Sequence, residues 1–76
     1  MANRFIDARG RACPIPLVEL MSSMREVRGG ERVEVLADDR VFPALVAEWC
    51  KRSGHRILKM EARDSGVHAA LIEKAP

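Results

Sequence analysis

Apolar residues recur along the chain with two different spacings, and the two spacings alternate from one segment to the next. In residues 14–25, and in a second segment that ends near residue 52, they recur as on one face of a helix. Residues 4–8, 31–37, 55–63 and 67–74 are instead short apolar or alternating runs, which are typical of strands. The chain is therefore predicted to follow the order βαβαββ.

The boundaries of these elements carry their own signals. Glycines at 29–30 and at 54 are expected to end the two helices. Asp38 or Asp39 is expected to cap the second helix, and Pro43 falls in its first turn, where the missing N–H of proline costs least. The Asp-Ser-Gly stretch at 64–66 is typical of a turn, so the last two strands are predicted to form an antiparallel hairpin.

Two helices and four strands of this length predict an α/β fold. The expected architecture is a two-layer α/β sandwich, with both helices packed on one face of a four-stranded mixed sheet. We expect one domain over residues 1–76. The predicted core consists of Leu17, Val18, Met21, Met24, Val33, Val35, Phe42, Leu45, Val46, Trp49, Leu58 and Met60.

Composition and charge narrow the class of protein. The chain has 76 residues, of which 47% are hydrophobic and 32% charged, enough for one core and a solvated shell. A net charge of +2 is too small to indicate nucleic acid. The first residues lack the apolar run of a signal peptide, and no run approaches transmembrane length. We therefore expect a cytoplasmic protein with no membrane contact.

Two cysteines make no disulfide framework and no metal-binding spacing. A Cys13–Cys50 bridge is open on sequence alone, although a reducing compartment favours two free thiols. Cys50 follows Trp49 at the border of the apolar stripe and is expected to be a structural core residue. Neither His55 nor His68 is expected to serve as a general base, because each is read as a solvated strand residue.

The stretch Ala-Cys-Pro-Ile-Pro at 12–16 favours a reactive thiol at Cys13. If Cys13 caps the first helix, Pro14 is the first helical residue, and Ile15 offers the one free N–H of that turn. The helix dipole then favours the thiolate, which is the nucleophile, and Arg9 and Arg11 are expected to add to that preference. The sulfur would stand exposed on a support stiffened by two prolines.

The segment Asp7–Pro16, "DARGRACPIP", resembles the D-x-x-G-x-x-C-P-x-P signature of the TusA/SirA-like sulfur carriers. "ADD" at 37–39 and "WC" at 49–50 are also similar to that family, so the resemblance covers residues 7 to about 73. It implies a βαβαββ sandwich, with the motif cysteine at Cys13. Asp7 would bond loop N–H groups and Gly10 would allow the turn. Arg11 departs from the large apolar residue often found there, which makes the surface beside the thiol more cationic.

The resemblance also implies a function. Cys13 would accept sulfane sulfur as a persulfide from a cysteine desulfurase or a rhodanese-like donor and pass it to a downstream acceptor protein. The downstream uses in the family include tRNA thiolation, molybdenum-cofactor maturation and sulfur oxidation. Such a protein is a carrier or sulfurtransferase component rather than a stand-alone enzyme, and no metal or organic cofactor is implied.

Two other classes of function compete with the carrier. A regulatory or protein-binding domain of the same fold would use the motif loop as an interaction surface, but it would not need the thiol of Cys13. An RNA-binding module is disfavoured by the low net charge and by the small set of aromatics, Phe5, Phe42 and Trp49.

Overall fold

Six main elements follow one another in the predicted order in a computed structural model that describes residues 2–12 and 14–76. The strands are β1 (Arg4–Asp7), β2 (Arg32–Ala37), β3 (Arg56–Ala62) and β4 (His68–Glu73). The helices are α1 (Ile15–Glu26) and α2 (Phe42–Ser53). The βαβαββ prediction is confirmed, with element ends shifted by a residue or so.

The four strands form one mixed sheet in the order β1-β2-β4-β3. β1 and β2 are parallel and are joined through α1, whereas β4 pairs antiparallel with β2 on one side and with β3 on the other. The carboxyl ends of two parallel strands meet at the same edge of a sheet. The loops that follow β1 and β2 therefore leave the sheet side by side, and each leads into the start of a helix.

The core lies between the two helices and one face of the sheet, as predicted. Leu20 and Met24 of α1 and Phe42, Val46 and Cys50 of α2 are buried in one cluster with the inward strand residues. The strand members include Val33, Val35, Ala37, Ala70 and Ile72. Of the predicted core, Leu17, Trp49 and Met60 are partly buried against this cluster, while Met21 and Leu45 are partly buried outside it.

Two predicted core residues were wrong. Val18 is 55% exposed, because α1 buries Pro16 and Leu20 together with Met24, the one member of the predicted α1 stripe that is fully buried. Leu58 is 36% exposed, because β3 carries a bulge between Ile57 and Lys59. The extra residue lets Ile57 and Met60 pair with Ile72 and Ala70 of β4, so strict alternation from Leu58 fails.

The helices end where the sequence predicted, by different means. Gly54 caps α2 in the left-handed region, with φ of +83°, and its N–H donates to the carbonyl of Cys50 at 2.9 Å. After α1, Val27 is extended, and a turn closes at Gly30 with φ of +86°. Ser65 and Gly66 form the turn of the β3–β4 hairpin, also with positive φ.

Candidate functional site

The loop between β1 and α1 is the candidate site, since it contains Cys13. Cys13 itself lies outside the described residues, so the site is built here from the residues on either side of it. Ala12 and Pro14 are exposed, and Pro16 is buried beneath the start of α1. The loop thus runs over the surface and is anchored to the core two residues after Pro14.

The first half of the loop is organised by Asp7, at the end of β1. Its carboxylate accepts the backbone N–H of Arg9 at 3.2 Å and binds the Arg9 guanidinium through both oxygens, at 2.8 and 2.7 Å. These hydrogen bonds lower the pKa of Asp7 to about 2. The expectation that Asp7 bonds loop N–H groups is confirmed. Gly10 has φ of +80°, which confirms that the turn needs glycine.

Of the two aspartates expected to cap α2, Asp38 instead binds the neighbouring loop. Both of its carboxylate oxygens lie 3.0 Å from the backbone nitrogen of Gly10, in the neighbouring loop. The parallel pairing of β1 and β2 explains this contact. Asp7 pairs with Leu36 at the ends of the two strands, so Gly10 and Asp38, which follow them, lie in neighbouring loops. Asp39 is the residue that serves the start of α2, since its side chain accepts the Val41 N–H at 2.9 Å.

The start of α1 differs by one residue from the sequence expectation. Pro14 is the N-cap, with φ of −100°, and Ile15 is the first helical residue. The N–H of Ile15, expected to be free for the sulfur, donates to the carbonyl of Ala12 at 2.9 Å. The N–H of Val18 donates to the carbonyl of Pro14 at 3.0 Å. Ala12 and Ile15, on either side of the motif cysteine and Pro14, are therefore linked by a backbone hydrogen bond.

Both arginines near the cysteine are paired with carboxylates. Arg9 is bound by Asp7, which raises the pKa of the guanidinium. The Nε of Arg11 lies 3.6 Å from a Glu19 oxygen on α1, and that oxygen is shielded from solvent and has no hydrogen-bond partner among the described residues. Each of these two arginines therefore has an opposite charge next to it, which offsets part of the positive charge that the sequence places in this loop.

Exposed apolar side chains lie at the N-terminal ends of both helices, on the same edge of the sheet as the loop. Ile15 is 44% exposed and Val18 55% exposed on α1, and Val41 is 50% exposed at the start of α2. None of them belongs to the core cluster. Ile15 and Val18 are three residues apart and therefore lie on the same face of α1.

Cys50 is a free thiol buried among the residues of α2 and the sheet, with 3% of its surface exposed. Burial raises the pKa of this thiol to about 11. The expectation that Cys50 is a structural core residue is confirmed, because a thiol that is both covered and protonated reacts poorly.

His55 is not the solvated strand residue that the sequence suggested. It lies just before β3, its Nδ1 accepts the N–H of Ala75 at 2.9 Å, and its ring lies 5.0 Å from that of Trp49. Burial, and then the charge of Lys74, lower its pKa. Next to it is a shallow cavity of about 250 Å³ between the C-terminal ends of the helices. This end is remote from the loop, since α1 is about 18 Å long.

The face of the sheet away from the helices carries charged side chains in pairs. Arg63 contacts both Glu34 and Glu61, and Glu73 lies between Arg32 and Arg56.

Within residues 2–12 and 14–76, no helix has the length and apolar character needed to cross a membrane.

Comparisons with known proteins agree with this arrangement. The profile of a family described as Sulfurtransferase TusA matches residues 4–74. A candidate sulfur carrier protein of Archaeoglobus fulgidus is 37% identical over 59 residues, which make up 78% of this chain and 81% of that protein. Another, from Aquifex aeolicus, is 36% identical over 73 residues; the match covers 96% of this chain but 36% of that protein.

A solved structure has the same fold. The crystal structure of the SirA-like protein from Desulfitobacterium hafniense superimposes with a TM-score of 0.84 at 26% identity, covering 96% of this chain and 99% of that one. The family profile matches residues 4–74, which include the loop between β1 and α1 as well as both helices and the sheet. The chain belongs to the TusA family of sulfur carrier proteins and has a SirA-like fold.

Proposed function

We propose that this protein carries sulfane sulfur as a persulfide on Cys13. The observation that carries the proposal is the family match over residues 4–74, which includes the Asp7–Pro16 segment. The chemistry of the other thiol supports it. Cys50 is buried and its pKa is raised to about 11, so Cys13 is the better candidate of the two cysteines.

The transfer needs neither an oxidant nor a reductant. The Cys13 thiolate attacks the outer sulfur of a persulfide on the donor, a sulfur–sulfur bond forms at Cys13, and the donor cysteine leaves as a thiolate with the electron pair. In the second half, a thiolate of the acceptor attacks the outer sulfur held on Cys13. The Cys13 sulfur then leaves as a thiolate, ready for another cycle.

The donor is proposed to be a cysteine desulfurase or a rhodanese-like protein, and the acceptor another protein of a sulfur pathway, such as tRNA thiolation, molybdenum-cofactor maturation or sulfur oxidation. Ile15, Val18 and Val41 support a role for protein partners, because their exposed apolar surface is displayed around the loop. The same side chains would serve a binding domain without thiol chemistry, which is the second candidate function.

Intact mass separates the two. After incubation with a cysteine desulfurase, cysteine and pyridoxal phosphate, or with a rhodanese and thiosulfate, we expect a species heavier by one sulfur atom. A thiol reductant should remove the added sulfur. Cys13→Ser should abolish the heavier species, while Cys50→Ser should leave it unchanged. Sulfur on Cys50, or no loading from either donor, would favour the binding domain.

A further inference from the structure

Asp38 connects two loops that are far apart in sequence. Its carboxylate follows β2 directly, and both of its oxygens lie 3.0 Å from the nitrogen of Gly10, three residues before Cys13. A hydrogen bond to an ionised carboxylate is stronger than one between neutral groups. Asp38 is itself exposed and lies outside the core cluster, so this contact acts on the loop rather than on the packing of the fold.

Within the described residues, little packing fixes the position of Gly10. A Cβ placed on it would meet nothing within 4 Å, so the loop is not packed against other atoms on that side. Its φ of +80° depends on a turn that is closed by the Arg11 N–H and the Ala8 carbonyl at 3.3 Å, a long hydrogen bond. Of these two contacts, the hydrogen bond that the Gly10 N–H donates to Asp38 is the shorter, at 3.0 Å against 3.3 Å.

The contacts farther along the loop lead to a different element. Arg11 pairs with Glu19 of α1, and Ile15 donates to Ala12 within the turn that opens α1. These contacts tie the later part of the loop to the helix. Asp38, which directly follows β2, holds the part of the loop around Gly10. It thereby fixes the position of the loop relative to the start of α2.

We propose that Asp38 is a positioning residue for sulfur transfer, holding the loop that carries Cys13 through the N–H of Gly10; this rests on the proposed carrier function. Transfer between two proteins requires the attacking sulfur and the sulfane sulfur to meet in one docked geometry. A loop freed at Gly10 samples other positions, which slows transfer from a large partner. A small reagent that diffuses to the thiol from any side is affected far less.

The test compares Asp38→Ala, Asp38→Asn and the control Asp64→Ala in a Cys50→Ser background. Asp64 is an exposed aspartate in the β3–β4 turn, so its loss makes the same change of charge away from the loop. The rate of sulfur transfer from a persulfide-loaded cysteine desulfurase is measured beside the rate of alkylation by iodoacetamide. Amide hydrogen exchange at Gly10 reports the bond directly, and circular dichroism checks the fold.

We expect transfer to Asp38→Ala to be about tenfold slower, since small misplacements of reacting groups have large effects on rate. Asp38→Asn should stay close to the wild-type rate, because the amide oxygen still accepts the Gly10 N–H. Asp64→Ala should match the wild type. Alkylation should change by less than about twofold in every variant, because the thiol itself is unaltered. Exchange at Gly10 should accelerate in Asp38→Ala alone.

Three results would overturn the role of Asp38 while leaving the carrier function intact. These are an unchanged transfer rate in Asp38→Ala, an Asp38→Asn variant as slow as Asp38→Ala, and alkylation that slows in parallel with transfer. A slow Asp38→Asn variant would mean that the charge of Asp38, and not its hydrogen bond, sets the transfer rate. Slower alkylation would mean that the substitution changes the reactivity of the thiol. A wild-type protein that accepts no sulfur would instead refute the carrier function, and with it the role of Asp38.

Discussion

Truncating Leu20 to alanine should destabilise the protein severely, whereas the same truncation at Val18 should have almost no effect. The two residues lie two positions apart on α1, on nearly opposite faces. Leu20 is 0% exposed and Val18 is 55% exposed. The comparison tests the rotation of α1 directly, because the hydrophobic pattern of the sequence placed Val18 in the core.

The magnitudes follow from burial. Replacing a fully buried leucine by alanine costs about 3 to 4 kcal/mol, as transfer energy plus the cavity left behind. A chain of 76 residues has a free energy of unfolding of about 4 to 11 kcal/mol, so this change removes a large share of it. At Val18, the two methyl groups are roughly half covered and contribute about 0.7 kcal/mol. Alanine has a better helix propensity than valine, which offsets about 0.5 kcal/mol of this loss in the Val18→Ala variant.

Urea unfolding followed by circular dichroism and by Trp49 fluorescence gives both values. With a slope of about 1 kcal/mol per molar, the midpoint for Leu20→Ala should fall by about 3 M, and that for Val18→Ala should stay within about 0.5 M of the wild type. Equal losses at the two positions, or a larger loss at Val18, would mean that α1 packs through a different face. The core described here would then be wrong.

Three further predictions concern the buried thiol and the C-terminal tail. Cys50 should resist iodoacetamide in the folded protein and react only in denaturant, since burial raises its pKa to about 11; rapid native labelling, mapped by peptide mass, would contradict this. His55 has a lowered pKa, so the unfolded chain takes up the proton first. The stability it provides is complete above its unfolded pKa of about 6.5 and declines as the pH falls toward the folded value. His55→Asn, which retains an acceptor but does not titrate, should weaken this pH dependence in urea titrations at about pH 7.5 and 5.5; an unchanged difference would refute it. Gly29→Ala should cost about 1 to 3 kcal/mol, because its Cβ would lie 2.9 Å from the Ala75 oxygen and the Pro76 Cα; a variant of wild-type stability would show that the tail is not packed there.

The order of elements could be predicted because it depends on local signals. Strand alternation, helical spacing and glycine at helix ends are all properties of a few neighbouring residues, and they gave the βαβαββ order. The exact face of a helix is set by what it packs against, which the sequence of α1 alone does not contain. Val18 and Leu20 illustrate this, because both are apolar and only the position of the sheet decides which is buried.

In the candidate site, too, roles that depend on neighbouring residues could be predicted from the sequence, and roles that depend on distant residues could not. Asp7 and Gly10 could be assigned roles because each acts within its own turn. Asp38 could not be assigned as the partner of Gly10, because the two residues are 28 positions apart and meet through the register of β1 and β2. His55 was misread for the same reason, since its partner, Ala75, lies 20 residues further along the chain.

The bulge at Leu58 has a consequence for how the molecule behaves at high concentration. β3 is an outer strand of the sheet, and a straight outer strand offers its unpaired backbone groups to a strand of another molecule. The bulge interrupts that row, and the exposed cations of Arg56 and Lys59 stand on either side of it. On the opposite edge, β1 is four residues long. Both borders of the sheet are thereby poor templates for pairing with a strand of another copy, which protects the protein from aggregation at high concentration.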